Sequence, residues 1–337
     1  MQNVSPLLAF IALLAVGVSS WLLGARAARR RSPPLARDYY RGLDHLLNDR
    51  LDSAVESFSR LAERDGDTIE IQFALGTLFR RRGEFDRAIA LHERLVAAAL
   101  PVSVRHQARH ELALDFLAAG LMDRAERLLM ELVAVSEYRE TATDRLMQLY
   151  AAQSDWANAL RMFHELPAYA RQERRALAVH FLCELAELAL VQADYQRVMA
   201  LLREAGRQDP SSGRVPWIAA RLADARGDPA AALAAYVEAV NRAPDLLLEI
   251  VPRVRELRSS TGEGGLVVLR GALESNSTLT ARQLDLAFTA TGEREFDARG
   301  RYSCEGCGLH SAQWFWCCPG CREWDRMSLG LVRLAGR

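Results

Sequence analysis

Gly76-Thr77-Leu78-Phe79-Arg80-Arg81-Arg82-Gly83-Glu84-Phe85-Asp86-Arg87-Ala88-Ile89-Ala90-Leu91-His92 carries the pattern from which the fold of this 337-residue chain is read. Two apolar stretches of helical spacing flank a polar break at Arg82-Gly83-Glu84, where glycine lets the backbone end one helix before the next begins. Gly76 and Ala88 are small, as they must be where two antiparallel helices approach closely, and His92 lies one turn beyond Ala88. The same arrangement recurs. Positions equivalent to Ala88 are Ala54, Ala125, Ala159, Val198 and Ala232, and the successive spacings are 34, 37, 34, 39 and 34. Twelve residues before each stand Gly42, Gly76, Ala113, Met147, Ala186 and Ala220, mostly small. Four residues after stand Phe58, His92, Leu129, Phe163, Leu202 and Tyr236, mostly large.

A period of 34 is that of tetratricopeptide repeats, in which each unit is a helical hairpin that buries its apolar face only by stacking on its neighbours. Further breaks at Ala119-Gly120-Leu121, Gln153-Ser154-Asp155, Gln192-Ala193-Asp194 and Arg226-Gly227-Asp228 repeat the turn, and Pro101, Pro167, Pro210 and Pro244 punctuate the helix ends. About six repeats fill residues 37–245, with Met147 and Val198 marking divergent units. Helical patterning continues over 246–258, 265–275 and 280–291, so residues 246–300 read as diverged repeats and a linker. The expected fold class is all-α, a tetratricopeptide-repeat superhelix. Two smaller parts flank it, an N-terminal transmembrane helix and a C-terminal metal knuckle module at 301–325.

The transmembrane helix is read from residues 4–24, which contain no charged side chain and are long enough to cross hydrocarbon as a helix. A secretory signal would carry its positive charge ahead of the apolar run. Here Arg26, Arg29, Arg30 and Arg31 follow it, which favours a retained anchor over residues 1–24 and a basic collar over 25–36. Positive-inside asymmetry then places the N-terminus outside and the bulk of the chain in the cytoplasm. Ala15/Ser19 and Ser20/Gly24 are small-xxx-small pairs that allow packing on another transmembrane helix, including that of a second copy in a homodimer.

The formal charge balances, 43 basic against 43 acidic, which argues against a nucleic-acid-binding surface. Every basic residue among the 43 is arginine, a bias expected of a GC-rich genome. Without lysine the chain has no Schiff-base nucleophile and no phosphate-loop lysine. It also has no G-x-S-x-G elbow and no H-E-x-x-H pair. A repeat array of this kind presents a groove for peptides rather than an enclosed pocket, so the expectation is a binding protein and not an enzyme. His106 and His110 are four apart on a helix but read as ordinary polar positions, and Arg80-Arg81-Arg82 and the acidic Glu137, Glu140 and Asp144 read as solvated faces.

Cys183 stands alone in an apolar stretch and reads as a small buried hydrophobe. The other five cysteines crowd the C-terminus as Cys304-Glu305-Gly306-Cys307 and Cys317-Cys318-Pro319-Gly320-Cys321. Two C-x-x-C pairs ten residues apart aim four thiolates, Cys304, Cys307, Cys318 and Cys321, at one tetrahedral metal ion. A disulfide framework conflicts with a cytoplasmic location. Gly306, Gly308 and Pro319-Gly320 are expected to let each knuckle fold back toward its sulfurs. Cys317 is left to packing or as a free thiol, and His310 is superfluous beside four thiolates. Trp314, Phe315, Trp316 and Trp324 are expected to cover the sulfurs or pack the module on its neighbour. The ligand set suits iron or zinc.

An uncharged N-terminal span, an arginine collar, a repeat array and a terminal rubredoxin-like C-x2-C-x10-C-x2-C pair, in that order, resemble the lipopolysaccharide assembly protein B family of Gram-negative bacteria. The most specific stretches are Tyr302-Ser303-Cys304-Glu305-Gly306-Cys307-Gly308 and Phe315-Trp316-Cys317-Cys318-Pro319-Gly320-Cys321. The resemblance implies an inner-membrane, cytoplasm-facing adaptor that restrains lipopolysaccharide synthesis by presenting the lipid A committed-step deacetylase to a membrane AAA+ protease. It also implies links to lipopolysaccharide export or regulatory membrane proteins, and a metal module that packs on the repeats with Cys304, Cys307, Cys318 and Cys321 as its ligands. Two other functions fit the same parts: a rubredoxin-like electron-transfer protein, and a general repeat scaffold for another envelope assembly.

Overall fold

The computed structural model describes residues 34–65, 68–261, 264–276 and 301–329. The expected span 1–24, the collar as far as residue 33 and the expected helix 280–291 lie outside the described residues. Among the described residues no helix is long and apolar enough to cross a membrane.

The chain forms two compact units, residues 1–142 and 143–337. In the first, helices pair as α1 (Pro34–Leu47) with α2 (Leu51–Asp65), α3 (Ile69–Arg81) with α4 (Phe85–Ala97), and α5 (Val102–Ala118) with α6 (Met122–Val133). The second begins within α7 (Arg139–Ala152) and continues through α8 (Trp156–Glu165), α9 (Ala168–Glu173), α10 (Arg175–Val191), α11 (Tyr195–Gln208), α12 (Arg214–Ala225) and α13 (Pro229–Arg242). A 3-10 turn at Pro244–Leu246 leads into α14 (Leu247–Thr261) and α15 (Gly264–Asn276). The C-terminal residues form a three-stranded antiparallel sheet, β1 (Tyr302–Cys304), β2 (His310–Ser311) and β3 (Met327–Leu329), in the order β2-β1-β3.

The repeat register read from the sequence is the register of the core. Ala54, Ala88, Ala125, Ala159, Val198 and Ala232 are all 0% exposed. The residues twelve before and four after oppose each other across the hairpin: a Cβ on Gly42 would lie 2.8 Å from the Phe58 ring, and one on Gly76 only 2.3 Å from the His92 ring. Glycine at these two sites is therefore demanded by contact. Elsewhere the small partner is Ala113, Ala186 or Ala220, and all three are fully buried. Irregular spacings have local causes. The interval of 39 contains the additional helix α9, and the interval of 37 reflects the 17-residue α5, against 13 residues in α3.

Six hairpin turns among the described residues each place one residue in the left-handed region, at Asp49, Gly83, Gly120, Ser154, Ala193 and Gly227, with φ between 53° and 78°. The following amide donates to the carbonyl five residues back, from Arg50 to His45 at 2.8 Å through Asp228 to Ala223 at 3.0 Å, which satisfies a carbonyl the helix end leaves open. In three later turns that same residue is an aspartate. Asp155, Asp194 and Asp228 accept from the amides of Asn158, Arg197 and Ala231 at 3.0–3.1 Å and so cap the next helix.

One expected solvated face is not one. Arg80 is largely buried, donating to Asp115 at 2.6 Å and to Glu111 at 2.7 Å on the next hairpin, and Asp115 also meets His92 at 2.5 Å. Arg81 reaches Asp49 and Arg82 reaches Asp52 and Glu84, so the run ties neighbouring hairpins together. In the second unit Asp144 pairs with Arg174 at 2.6 Å.

Candidate metal centre and its seat on the repeats

The two C-x-x-C segments fold as matching knuckles. In the first, the Gly308 amide donates to the Cys304 carbonyl at 2.9 Å and the Cys304 amide to the Leu309 carbonyl at 2.8 Å. In the second, Arg322 donates to Cys318 at 2.8 Å and Cys318 to Glu323 at 2.9 Å. Gly308 and Arg322 are equivalent, and both are left-handed, at φ 75° and 60°. The expectation that Gly320 supplies the conformational freedom of the second knuckle is corrected by this geometry. Gly320 and its counterpart Gly306 are instead sites of close approach: a Cβ on Gly320 would lie 3.2 Å from Cys307 Sγ, and one on Gly306 would lie 2.9 Å from Glu323 Oε2 and 3.6 Å from Cys321 Sγ.

The four sulfurs of Cys304, Cys307, Cys318 and Cys321 all lie within 4.8 Å of one another. Cys304 to Cys321 and Cys307 to Cys318 are both 3.7 Å. A tetrahedron of thiolates about 2.3 Å from a central ion has edges of about 3.8 Å, whereas a disulfide needs about 2.05 Å. The donor set therefore fits a tetrahedral metal ion. Its electrostatics agree: four thiolates so close repel, and only a cation among them lets all four ionise. Burial opposes ionisation of Cys318, but the amides of Cys321 and Gly320 and the thiols of Cys304 and Cys307 outweigh it and hold this thiol down to about 7. Cys317 stays outside the cluster, its sulfur donating to the Arg322 carbonyl at 3.5 Å, and burial raises its thiol. His310 lies in β2, exposed and outside the cluster.

The module is seated on the second unit by aromatic and charged side chains. Trp324 stacks on His180 of α10 at 4.4 Å and meets Trp156 of α8 and Phe181 of α10 edge-on at 6.0 and 6.4 Å. The buried Arg214 of α12 lies 5.4 Å from the centre of the Trp316 ring and 5.7 Å from that of Trp324, and is held by Glu184 at 2.7 Å. Asp325 meets His180 Nε2 at 2.6 Å, and the Tyr302 hydroxyl donates to Glu249 of α14 at 3.0 Å. Burial and the Glu249 carboxylate push the Tyr302 phenol upward. Tyr302, Cys304, Cys318 and Met327 join one apolar core with Tyr236, Leu246, Ile250 and Val254.

A tetratricopeptide-repeat model matches residues 73–105. Lipopolysaccharide assembly protein B of Escherichia coli K12 is 28% identical over 375 aligned positions, covering 94% of this chain and 96% of that protein. The chain is similar to lipopolysaccharide assembly protein B throughout. The protein of that name from Haemophilus influenzae is 25% identical, again over 94% of this chain and 96% of its own length. Among solved structures, the C-terminal part of a TPR repeat-containing protein from Cytophaga hutchinsonii aligns with a TM-score of 0.51 at 12% identity, covering 73% of this chain and 98% of that one. That likeness bears on the fold alone. The resemblance to lipopolysaccharide assembly protein B and the repeat fold expected from the sequence are both found.

Cys183 is fully buried, and burial pushes its thiol up to about 12, as befits a packing residue. His110 rests against Tyr138 with ring centres 5.4 Å apart, and among the described residues the four-cysteine cluster is the one group with metal-binding geometry. Sequence reasoning missed His180, Arg214, Trp156 and Asp325 as the seat of the module. Arg214 and Glu184 are 30 residues apart, close to one repeat, and an arginine facing a carboxylate one repeat earlier was the available signal.

Proposed function

We propose that the chain is a non-enzymatic adaptor of the lipopolysaccharide assembly protein B type. Residues 1–24 hold it in the inner membrane, the bulk of the chain faces the cytoplasm, and the repeats bind protein clients. What supports this most is the co-linear similarity over 94% of the chain, with the repeat array and the cysteine cluster in the same protein. The client is the deacetylase of the committed lipid A step, brought to a membrane AAA+ protease, and links to export or regulatory membrane proteins follow from the same position.

Cys304, Cys307, Cys318 and Cys321 hold one iron or zinc ion in a rubredoxin-like module. A bound metal would supply positive charge that offsets part of the thiolates' repulsion and would tie the knuckles together. This chain's own part is to fix the sulfurs and to press the module onto α8, α10, α12 and α14 through Trp324, Asp325, Trp316 and Tyr302.

The test is a pull-down from detergent-solubilised full-length protein. Wild type is expected to retain the deacetylase and the protease, and Cys318→Ser is expected to lose metal and partners together, because a missing ligand opens the cluster. Deletion of residues 1–24 is expected to release the protein from the membrane and weaken regulation, since tethering raises the effective concentration of membrane partners. Recovery of neither the protease nor the deacetylase by wild type overturns the proposal.

A further inference from the structure

Beside the seated module, the second unit leaves a groove of about 680 Å3 between α7, α8, α10 and the second knuckle. Its wall is apolar, built by Met147, Ala151, Trp156, Leu177, Phe181 and Trp324. Three charged residues line its knuckle side: Arg322, Glu323 and Arg326. Glu323 and Arg326 neutralise each other at 3.1 Å, while the exposed Arg322 guanidinium makes no ion pair among the described residues. The groove is thus a hydrophobic trough with one guanidinium at its edge that has no carboxylate partner among the described residues, beside Cys321 of the cysteine cluster.

Arg322 is also an improbable residue for its backbone. It occupies the left-handed position of the second knuckle at φ 60°, where the first knuckle has Gly308. A side chain is disfavoured in that region, so glycine would relieve strain. The position carries instead a long cationic side chain that lines the groove.

We propose that this groove docks an extended segment of a protein client in which an apolar side chain lies next to a carboxylate. The apolar group enters the trough against Leu177 and Trp324, and the carboxylate pairs with Arg322, whose planar guanidinium suits two-pronged binding. Repeat arrays hold peptides in such troughs, and aromatic and arginine side chains are the usual anchors. An anionic lipid surface is matched by clusters of several cations, whereas this groove has two arginines, of which Arg326 is already paired with Glu323. This inference rests on the adaptor reading above and supplies the chemistry of its client site.

The probe is a set of fluorescein-labelled synthetic decapeptides pairing Leu or Phe with an adjacent Asp or Glu, titrated against detergent-solubilised full-length protein. Arg322→Gly removes the guanidinium while relaxing the backbone, so it should fold at least as well as wild type. It is expected to weaken these peptides about tenfold, with Arg322→Lys intermediate. Replacing the peptide Asp or Glu by Asn or Gln should cost the same in wild type and nothing further in Arg322→Gly. Peptides indifferent to the acidic residue, or bound equally by Arg322→Gly, overturn the proposal. Binding of phosphatidylglycerol vesicles at this site with no peptide binding overturns it in favour of a lipid site. Full-length deacetylase retained equally by wild type, Arg322→Gly and Leu177→Asp overturns the groove as its dock and leaves the adaptor standing. Arg322-dependent peptide binding without any deacetylase retention upholds the groove and overturns the adaptor's named client.

Discussion

Replacing Trp324 by alanine should unseat the C-terminal module without touching a cysteine. The indole stacks on His180, meets Trp156 and Phe181 edge-on, and lies beside the Arg214 guanidinium. A tryptophan that removes roughly 150 Å2 from water contributes about 4 kcal/mol at 25 cal/mol/Å2. Aromatic and cation–π geometry adds about 1 kcal/mol, while partial exposure and relaxation around the void remove a comparable or larger amount. A loss of about 3 kcal/mol is the expected result. Hydrogen exchange read by mass spectrometry on the full-length protein measures it as local opening. Amides of residues 302–329 should exchange roughly two orders of magnitude faster, and those of α10 and α12 should follow. Trp324→Phe keeps the edge-on contacts and should lose only about 1 kcal/mol. An acceleration below about fivefold in the alanine variant would refute the reasoning, as would a phenylalanine variant opened as widely as the alanine one.

Three further outcomes follow from other parts of the chain. Ala193 stands at φ 56° in a turn where three of its five equivalents are glycine, so Ala193→Gly should raise stability by about 0.5 kcal/mol and Gly120→Ala lower it by about 1 kcal/mol, measured by thermal melts. Gly320→Ala drives a methyl to 3.2 Å from Cys307 Sγ and should cut metal affinity at least about tenfold, read by competition with a chromophoric chelator. Burial pushes the Glu111 carboxyl up, but hydrogen bonds from His110 and Arg80 and the charges of Arg80 and His92 overcome it and hold the group at about 2. The folded value is below the unfolded one, so this stabilisation is complete above the usual carboxylate range and is lost as pH falls towards 2; melts between pH 2 and 6 should show about 3 kcal/mol shed in that window, and Glu111→Gln should flatten it.

The repeat hairpins were legible because their geometry imposes a local spacing. A small residue at the helix crossing and a large one four later, as in Gly76, Ala88 and His92, can be recognised without knowing any distant partner. The cysteine cluster was legible for the same reason, as two short motifs with a fixed interval. What stayed hidden depended on contacts between distant positions. Nothing local marks His180 as the partner of Asp325, 145 residues on, or Trp324 as the ring that stacks on it. Arg80 looked like part of a solvated run because its burial is set by Asp115 on the next hairpin. The second knuckle misled in a different way. Gly320 attracted the conformational explanation, and the strained position two residues later carries an arginine.

A stack of hairpins in which each touches only its neighbours behaves as a chain of nearly independent links, able to fray from either end or to flex at any joint. Trp156, His180, Arg214 and Glu249 belong to four successive hairpins, and all four are gripped by the same small C-terminal body. That body works as a staple across the links. It makes the end of the array melt as one block and stiffens its pitch, so a client held along α7 and α10 meets a fixed surface instead of an elastic one.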